Sequence, residues 1–382
     1  MKITIDKASF VDAVKWTLAG VDAGDKSATV RLDVKGSSEI MLSASSAVGE
    51  RSATVTVVVD DYEDTTAFDL LASDLKKLPS QITSKDVTLE YDDKKSRSEI
   101  LVNVGVKLKL PLFASSVMPA KGVDGMTALG TMVPADLFHA VSKLAISTDQ
   151  KAADSRLSAL DFKADGAGKL AIAGLDTYNL SVRTLQYEAD SDEEARFLLP
   201  ASDITGMAAV KNATTVELYV NDTSVLFSFD DGYVARVNKL MVDPIPYEGL
   251  LYGDREDLHV DVDTASLLSA VNRFIAWGSD DDDVSFVIDP ENDKMVVHSQ
   301  SDDWSEAVPL ESKDMGEGSF EVDFPKTVIM KALRSADTDV IRIRFNRDAE
   351  EIKDSVFIFD QLDGNGEPDK TVYIMCTPTI EE

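Results

Sequence analysis

The chain has 382 residues, 44% of them hydrophobic, and a formal net charge of −31 at pH 7. That is enough apolar material for two or three cores of ordinary size, while no run approaches the ~18 consecutive apolar residues of a membrane span. A single cysteine, Cys376, excludes internal disulfides, and three scattered histidines (His139, His259, His298) are a poor supply for metal sites.

The chain opens with a predicted strand, Lys2 to Ile5, in which Asp6 interrupts any growing apolar run, so no export signal is expected and the compartment is cytoplasmic. A helix from Lys7 follows, with Phe10, Ala13, Val14 and Trp16 or Thr17 as a one-sided apolar stripe. Strand patterns come next at Val30 to Val34, Glu39 to Ala44 and Ala53 to Val59. The pattern then restarts with a strand at Ala67 to Leu71 and a helix over Ser73 to Lys85, capped by Ser73 and cut short or kinked by Pro79. Strands at Val87 to Tyr91, Glu99 to Val104 and Val106 to Leu110 complete a unit of two strand, helix, three-strand passages.

Met118 to Gly125 is a linker, after which a helix over Pro134 to Ile146 starts on a proline whose missing amide proton costs little there. Asp165-Gly166-Ala167-Gly168 is predicted to be a hairpin turn rather than a phosphate loop, because no Lys-Ser/Thr follows. Strands Lys169 to Ala173 and Thr215 to Val220 flank a helix expected over Ala201 to Asn212, and Asp243 to Gly253 is a second linker. The last unit repeats the plan with strand Leu258 to Val262, helix Asp263 to Trp277, strand Ser319 to Phe324, helix Pro325 to Ala336 and strand Val340 to Phe345. It closes on an apolar run, Thr371 to Met375, leading into Pro378 and Ile380 near the end of the sequence.

Two echoes show that these units are copies. Phe10 to Trp16, Leu137 to Leu144 and Leu267 to Phe274 share an Ala-Val pair, and Ala13, Ala140 and Ala270 are 127 and 130 residues apart. Phe68 to Leu75 and Phe197 to Ile204 share Ala-Ser-Asp, with Asp74 and Asp203 separated by 129 residues. Concordant steps of that length describe repeated domains, here expected at 1–125, 126–250 and 251–382.

Charge is unevenly spread. The predicted helices over Lys7 to Gly20, Ser73 to Lys85 and Pro325 to Ala336 are net positive and the other three are neutral, so the acidity lies outside the helices. Neutral or basic helices in an acidic shell suit one face turned toward a polyanion, although Lys and Arg also simply favour helices. No Gly-x-Ser-x-Gly elbow, Walker loop, zinc spacing or kinase signature is present, and no catalytic residue, metal or cofactor is expected. Asp280 to Asp283 is predicted to be a solvated loop and Asp360 to Asp369 a hairpin turn.

The three-copy plan with its recurring Ala-Val helix resembles the bacterial DNA polymerase III beta sliding clamp over essentially the whole chain. Leu170 to Arg183 is similar to the clamp's middle-domain run of Thr-Asp-Gly-His-Arg-Leu type, with Asp176 and Leu180 on its acid and leucine and Tyr178-Asn179 replacing His-Arg. Arg156 to Leu160 resembles the run before that domain's second strand, and Tyr373 to Ile380 a Tyr-Val-Val-Met-Pro-Met-Arg-Leu ending with its proline displaced to Pro378. The resemblance implies an α+β fold of three clamp domains, each of two β-α-β-β-β units with helices on one face of antiparallel sheets, joined head to tail with a second copy as a homodimeric ring.

It further implies a non-enzymatic processivity factor. The ring would encircle double-stranded DNA without sequence preference and tether a DNA polymerase, a clamp loader and other proteins that carry short clamp-binding peptides. DNA-facing candidates are Lys15, Lys26, Lys76, Lys77, Lys143, Arg156, Lys211, Arg273, Lys326, Lys331 and Arg334. The peptide cleft would use Leu157, Leu175, Tyr178, Leu180, Leu251, Tyr252, Met375, Cys376, Pro378 and Ile380. The dimer seam would set Lys107, Leu108, Lys109 and Leu110 against Trp277, Asp302, Asp303 and Glu306. Two alternatives stand beside this reading: a clamp-fold decoy or duplicate outside replication, and a repetitive virion or surface protein indifferent to DNA.

Overall fold

A computed structural model describes the chain except for residues 22–23, 47–48, 61–66, 92–98, 114–121, 210–211, 252–257, 278–282, 300–303, 316–317, 347–355 and 380–382. The first third runs β1 (Lys2–Asp6), α1 (Lys7–Leu18), β2 (Thr29–Lys35), β3 (Glu39–Ser46), β4 (Gly49–Thr56), β5 (Val58–Asp60), β6 (Ala67–Leu71), α2 (Ala72–Leu75), β7 (Asp86–Glu90), β8 (Glu99–Asn103) and β9 (Lys107–Pro111). The middle runs β10 (Thr127–Met132), α3 (Pro134–Leu144), β11 (Ala159–Ala164), β12 (Lys169–Leu175), β13 (Asn179–Gln186), β14 (Glu188–Ala189), β15 (Ala195–Pro200), α4 (Ala201–Thr205), β16 (Val216–Val220), β17 (Ser224–Phe229) and β18 (Tyr233–Asn238). The last third runs α5 (Glu248–Leu251), β19 (Leu258–Asp263), α6 (Thr264–Trp277), β20 (Val284–Asp289), β21 (Lys294–Ser299), β22 (Ser305–Asp314), β23 (Phe320–Phe324), α7 (Lys326–Ser335), β24 (Val340–Phe345), β25 (Phe357–Gln361) and β26 (Val372–Cys376).

Contacts gather these elements into two compact units. One comprises Met1–Ala135, Tyr187–Glu193 and Gly206–Lys239, the other Asp136–Gln186, Glu194–Thr205 and Leu240–Glu382. The first unit holds a sheet of order β5-β1-β7-β8-β9 and a second of order β14-β10-β16-β17-β18-β4-β3-β2-β6. The other holds one sheet of order β15-β11-β12-β13-β26-β25-β24-β19-β22-β21-β20-β23. The pairing is antiparallel, including two joints between strands remote in sequence: β18 on β4 and β13 on β26. At the first joint a side chain at Gly49 would sit 2.2 Å from the Arg236 carbonyl oxygen, so the close approach requires glycine.

The first unit's core is organised by α1. The Asp6 carboxylate accepts the Ser9 amide proton at 3.1 Å, capping the helix, and that bond lowers the carboxyl's pKa. Phe10, Ala13, Val14, Trp16 and Thr17 are buried, as their spacing predicts. Trp16 donates its indole N–H to the Ser52 carbonyl at 2.9 Å and meets Phe229 and Tyr233 edge to face. The repeated Ala-Val pairs are core positions in all three helices: Ala13 and Val14, Ala140 and Val141, Ala270 and Val271 are all buried.

Two of the expected helices are much shorter than their apolar pattern. Ser73 to Lys85 contains only the four-residue α2 and a 3-10 turn over Leu78–Gln81, because Pro79 cannot continue the hydrogen-bond ladder. Ser73 lies inside α2 rather than capping it; the cap position is Leu71, which has no side-chain bond to offer. Among the described residues of Ala201 to Asn212 the α-helix is the five-residue α4, where the Thr205 hydroxyl turns back onto the Ala201 carbonyl at 3.0 Å and Gly206 opens a 3-10 turn. Residues Ala53 to Val59 do not form one strand: β4 ends at Thr56 and β5 joins the other sheet of the same unit. Among the described residues no helix is long and apolar enough to cross a membrane.

Candidate functional site

The site is assembled on three neighbouring strands, β12, β13 and β26. Their register pairs Leu175 with Leu180, Ala173 with Val182, Leu180 with Met375 and Val182 with Tyr373. Because side chains alternate along a strand, these six share one face of the sheet. Tyr247, from the segment before α5, and Val356, just before β25, complete a buried apolar cluster with Ala173, Leu180, Val182 and Met375. Leu175, Leu251 and Tyr373 pack against it half-buried, so part of this apolar surface is open. The Tyr373 hydroxyl donates to the Leu250 carbonyl at 3.0 Å, tying the sheet to α5. Tyr178, at the β12–β13 turn, is 53% exposed beside it.

The opposite face of β13 holds polar partners. Arg183 reaches Asp337, which also takes Lys143 and His139, at 2.6, 2.7 and 2.8 Å. Burial raises the Asp337 carboxyl, but Lys143, Arg183 and His139 outweigh it and leave its pKa below the ordinary value. The hub ties the end of α3 to the end of α7, where Lys143 also donates to the carbonyls of Arg334 and Ala336 at 3.0 and 2.9 Å.

Of the residues that the resemblance implies for the cleft, Leu175, Leu180, Leu251 and Met375 lie together. Cys376 is not among them. Alternation on β26 turns Val372, Ile374 and Cys376 to the other side, into the core packed around α6 and α7, and burial pushes the thiol pKa far up. Leu157 is half-buried on the 3-10 turn Ser155–Ser158 and stands outside the cluster. Pro378 is half-buried just beyond β26, where the flanking Thr377 and Thr379 amides donate to the carbonyls of Tyr178 and Asp323. Tyr252 and Ile380 lie outside the described residues. The sequence reading missed Ala173, Val182, Tyr247, Val356 and Tyr373; strand alternation beside Leu175, Leu180 and Met375 identifies three of these, while Tyr247 and Val356 lie outside any periodic element.

The candidate phosphate-facing cations divide by commitment. Lys15 on α1, Lys26, Lys76 and Arg334 are exposed and form no ion pair with another described residue. Lys77 pairs with Asp74 across a helical turn at 3.2 Å. Lys143 is spent on the Asp337 hub, and Lys331 on Asp176 and the Thr148 carbonyl. Arg156 forms a fork with Asp154 that raises its own pKa. Lys326 lies over the Phe274 ring at 5.3 Å, and Lys211 lies outside the described residues.

Arg273 and Glu306, which the sequence reading assigns to different surfaces, form a two-pronged ion pair with each other across α6 and β22. The bond raises the arginine pKa and lowers that of the carboxylate. On β9, an edge strand, Lys107 and Lys109 are exposed and Leu108 and Leu110 half-buried, with Lys109 3.6 Å from Glu99. Trp277 ends α6 with 80% of its surface exposed; Asp302 and Asp303 lie outside the described residues. Among the described residues no group of three or more His, Cys, Asp or Glu is placed to hold a metal ion.

No protein-family model matches the chain, and no curated protein matches it by sequence. Solved structures do. The beta clamp of Helicobacter pylori, bound to a DNA ligase peptide, matches with a TM-score of 0.82 at 15% identity, covering 100% of both chains. The fold is that of the bacterial beta sliding clamp. The DNA polymerase sliding clamp of Bacillus subtilis matches at 0.83 and 15%, again over 100% of both chains. The beta subunit from the DNA polymerase of Streptococcus pyogenes matches at 0.84 and 16%, covering 99% of this chain and 100% of its own. The clamp fold is thus α+β, with antiparallel sheets and few helices, and it spans the chain at an identity near 15%.

Proposed function

We propose that the chain is a DNA sliding clamp: a non-enzymatic, cytoplasmic processivity factor that encircles duplex DNA and tethers a polymerase and other DNA-processing proteins. Three clamp domains, at 1–125, 126–250 and 251–382, would join those of a second copy head to tail. In that ring the β9 edge, with Leu108 and Leu110, faces Trp277 of the other copy, and the exposed Lys15, Lys26, Lys76 and Arg334 turn toward phosphate. The apolar surface under Leu180 and Met375 would take a short peptide with paired hydrophobic side chains. The Helicobacter pylori clamp is bound to a DNA ligase peptide.

The observation that carries this reading is the match to clamp chains over 100% of both lengths. Topological holding also suits the composition, since a closed ring needs few phosphate contacts and an acidic exterior keeps DNA from other surfaces. Small-angle scattering on the pure protein tests it. A particle of twice the 41.5 kDa chain mass with a hollow centre is expected, and a solid or elongated monomer would overturn the ring.

A further inference from the structure

The floor of the apolar surface is built by three hydrogen-bonded strands; its wall is not. Of the wall residues, Tyr247 ends an irregular segment and Leu251 ends the four-residue α5 that follows it, a helix too short to hold itself by helical bonding. Besides the Tyr373 bond to Leu250, what fixes that stretch comes from β11 and β15. Asp161, whose side chain is 1% exposed, accepts Nε and Nη2 of Arg196 at 3.1 and 2.7 Å. The remaining guanidinium nitrogen, Nη1, donates to the Glu248 carboxylate at 2.7 Å, and Nη2 reaches the Ile245 carbonyl at 3.4 Å. The guanidinium also lies over the Tyr247 ring, 5.6 Å from its centre. A single planar group thus grips Ile245, Tyr247 and Glu248, while a buried carboxylate fixes the group itself.

We propose that Arg196, held by Asp161, is a positioning residue for the peptide surface, setting Tyr247 and Leu251 in place before a partner arrives. The proposal rests on the peptide-binding reading above. A wall already ordered in the free protein loses little freedom when a peptide docks, whereas a loose wall must be ordered at the expense of affinity. Arg196 suits the task because its fork serves Asp161 and Glu248 at once while its face covers a ring; a lysine ammonium is a single point that cannot do all three. Glu248 needs only an acceptor oxygen to keep its place under Nη1.

The test uses the full chain and a short fluorescein-labelled peptide with two adjacent leucines, read by anisotropy. Arg196→Lys is the informative variant, since it leaves a cation beside the buried Asp161. The expected result is affinity weakened about tenfold, the scale of ordering a wall side chain or two on binding, with melting temperature and particle mass unchanged. Glu248→Gln is expected to bind close to wild type, a rescue that general loosening of the fold would not produce. Wild-type affinity in Arg196→Lys, with binding lost in Leu180→Asp, would overturn the positioning role and leave the peptide surface standing. Equal binding by wild type and Leu180→Asp, or none by either, would overturn both.

Discussion

Replacing Asp337 with alanine removes one carboxylate from an arginine, a lysine and a histidine. Its oxygens lie 2.6 Å from Arg183, 2.7 Å from Lys143 and 2.8 Å from His139. The Arg183 side chain is only 10% exposed, so its charge cannot turn to water when the carboxylate goes. Stranding one member of a buried pair costs about 3–5 kcal/mol, whereas the more exposed Lys143 and His139 add less than about 1 kcal/mol each. Arg183 keeps its bond to the Ser335 carbonyl at 2.8 Å, which offsets about 1 kcal/mol. The net expectation is a loss of about 3 kcal/mol.

The pH dependence has a definite sign. The carboxyl's folded pKa lies below its ordinary 3.8, so the stabilisation is complete above that value and is lost as the pH falls through the folded pKa. Urea titrations followed by circular dichroism, on wild type and Asp337→Ala at pH 7 and at several values below 4, measure both quantities. A variant within about 0.5 kcal/mol of wild type at pH 7, or a difference that widens on acidification, would refute the account of the hub.

Leu108→Asp on the β9 edge is expected to give a particle of the single-chain mass, 41.5 kDa, because it sets a charge in the apolar centre of the proposed seam; light scattering showing an unchanged dimer would remove β9 from it. Deleting residues 377–382 takes away Pro378 and the Thr377 bond to Tyr178, and is expected to abolish peptide binding while leaving particle mass unchanged. Retained affinity in that anisotropy titration would take the chain end out of the peptide surface. Cys376 is completely buried and its pKa is raised, so a thiol reagent such as DTNB should label it only on the timescale of unfolding; prompt labelling of native protein would contradict its place in the core.

What the sequence discloses follows from periodicity. The Ala-Val pairs at Ala13, Ala140 and Ala270 mark the buried stripe of a helix, and their spacing exposes the repeat before any contact is known. Leu180 and Met375 are legible because resemblance and strand alternation agree on them. Cys376 fails on the same rule, since an odd step along β26 places it on the far face from Met375. Pro79 announces the early end of the second helix in the first copy, whereas in the middle copy an apolar pattern cannot show where a Thr205 back-bond ends the ladder. Tyr247, Val356 and the pairing of Arg273 with Glu306 depend on tertiary placement, for which a linear pattern contains no signal.

The cations illustrate why a helix charge count misleads. Lys331 contributes to the apparent excess on its helix, and Lys143 enters the count of a helix that is neutral overall, yet each is neutralised locally, by Asp176 and by Asp337. The excess available to a polyanion is therefore smaller than the sequence suggests, and is carried by side chains such as Lys15, Lys76 and Arg334 that meet no described acid. On the sliding-clamp reading this sparseness is an advantage. Each neutralised phosphate adds to the free energy that must be broken at every step along DNA, so a ring that holds by closure slides best when few cations are free to bind. The acids that occupy Lys143 and Lys331 bind α7 to its neighbours, and on that same reading they would also keep the surface from gripping passing DNA.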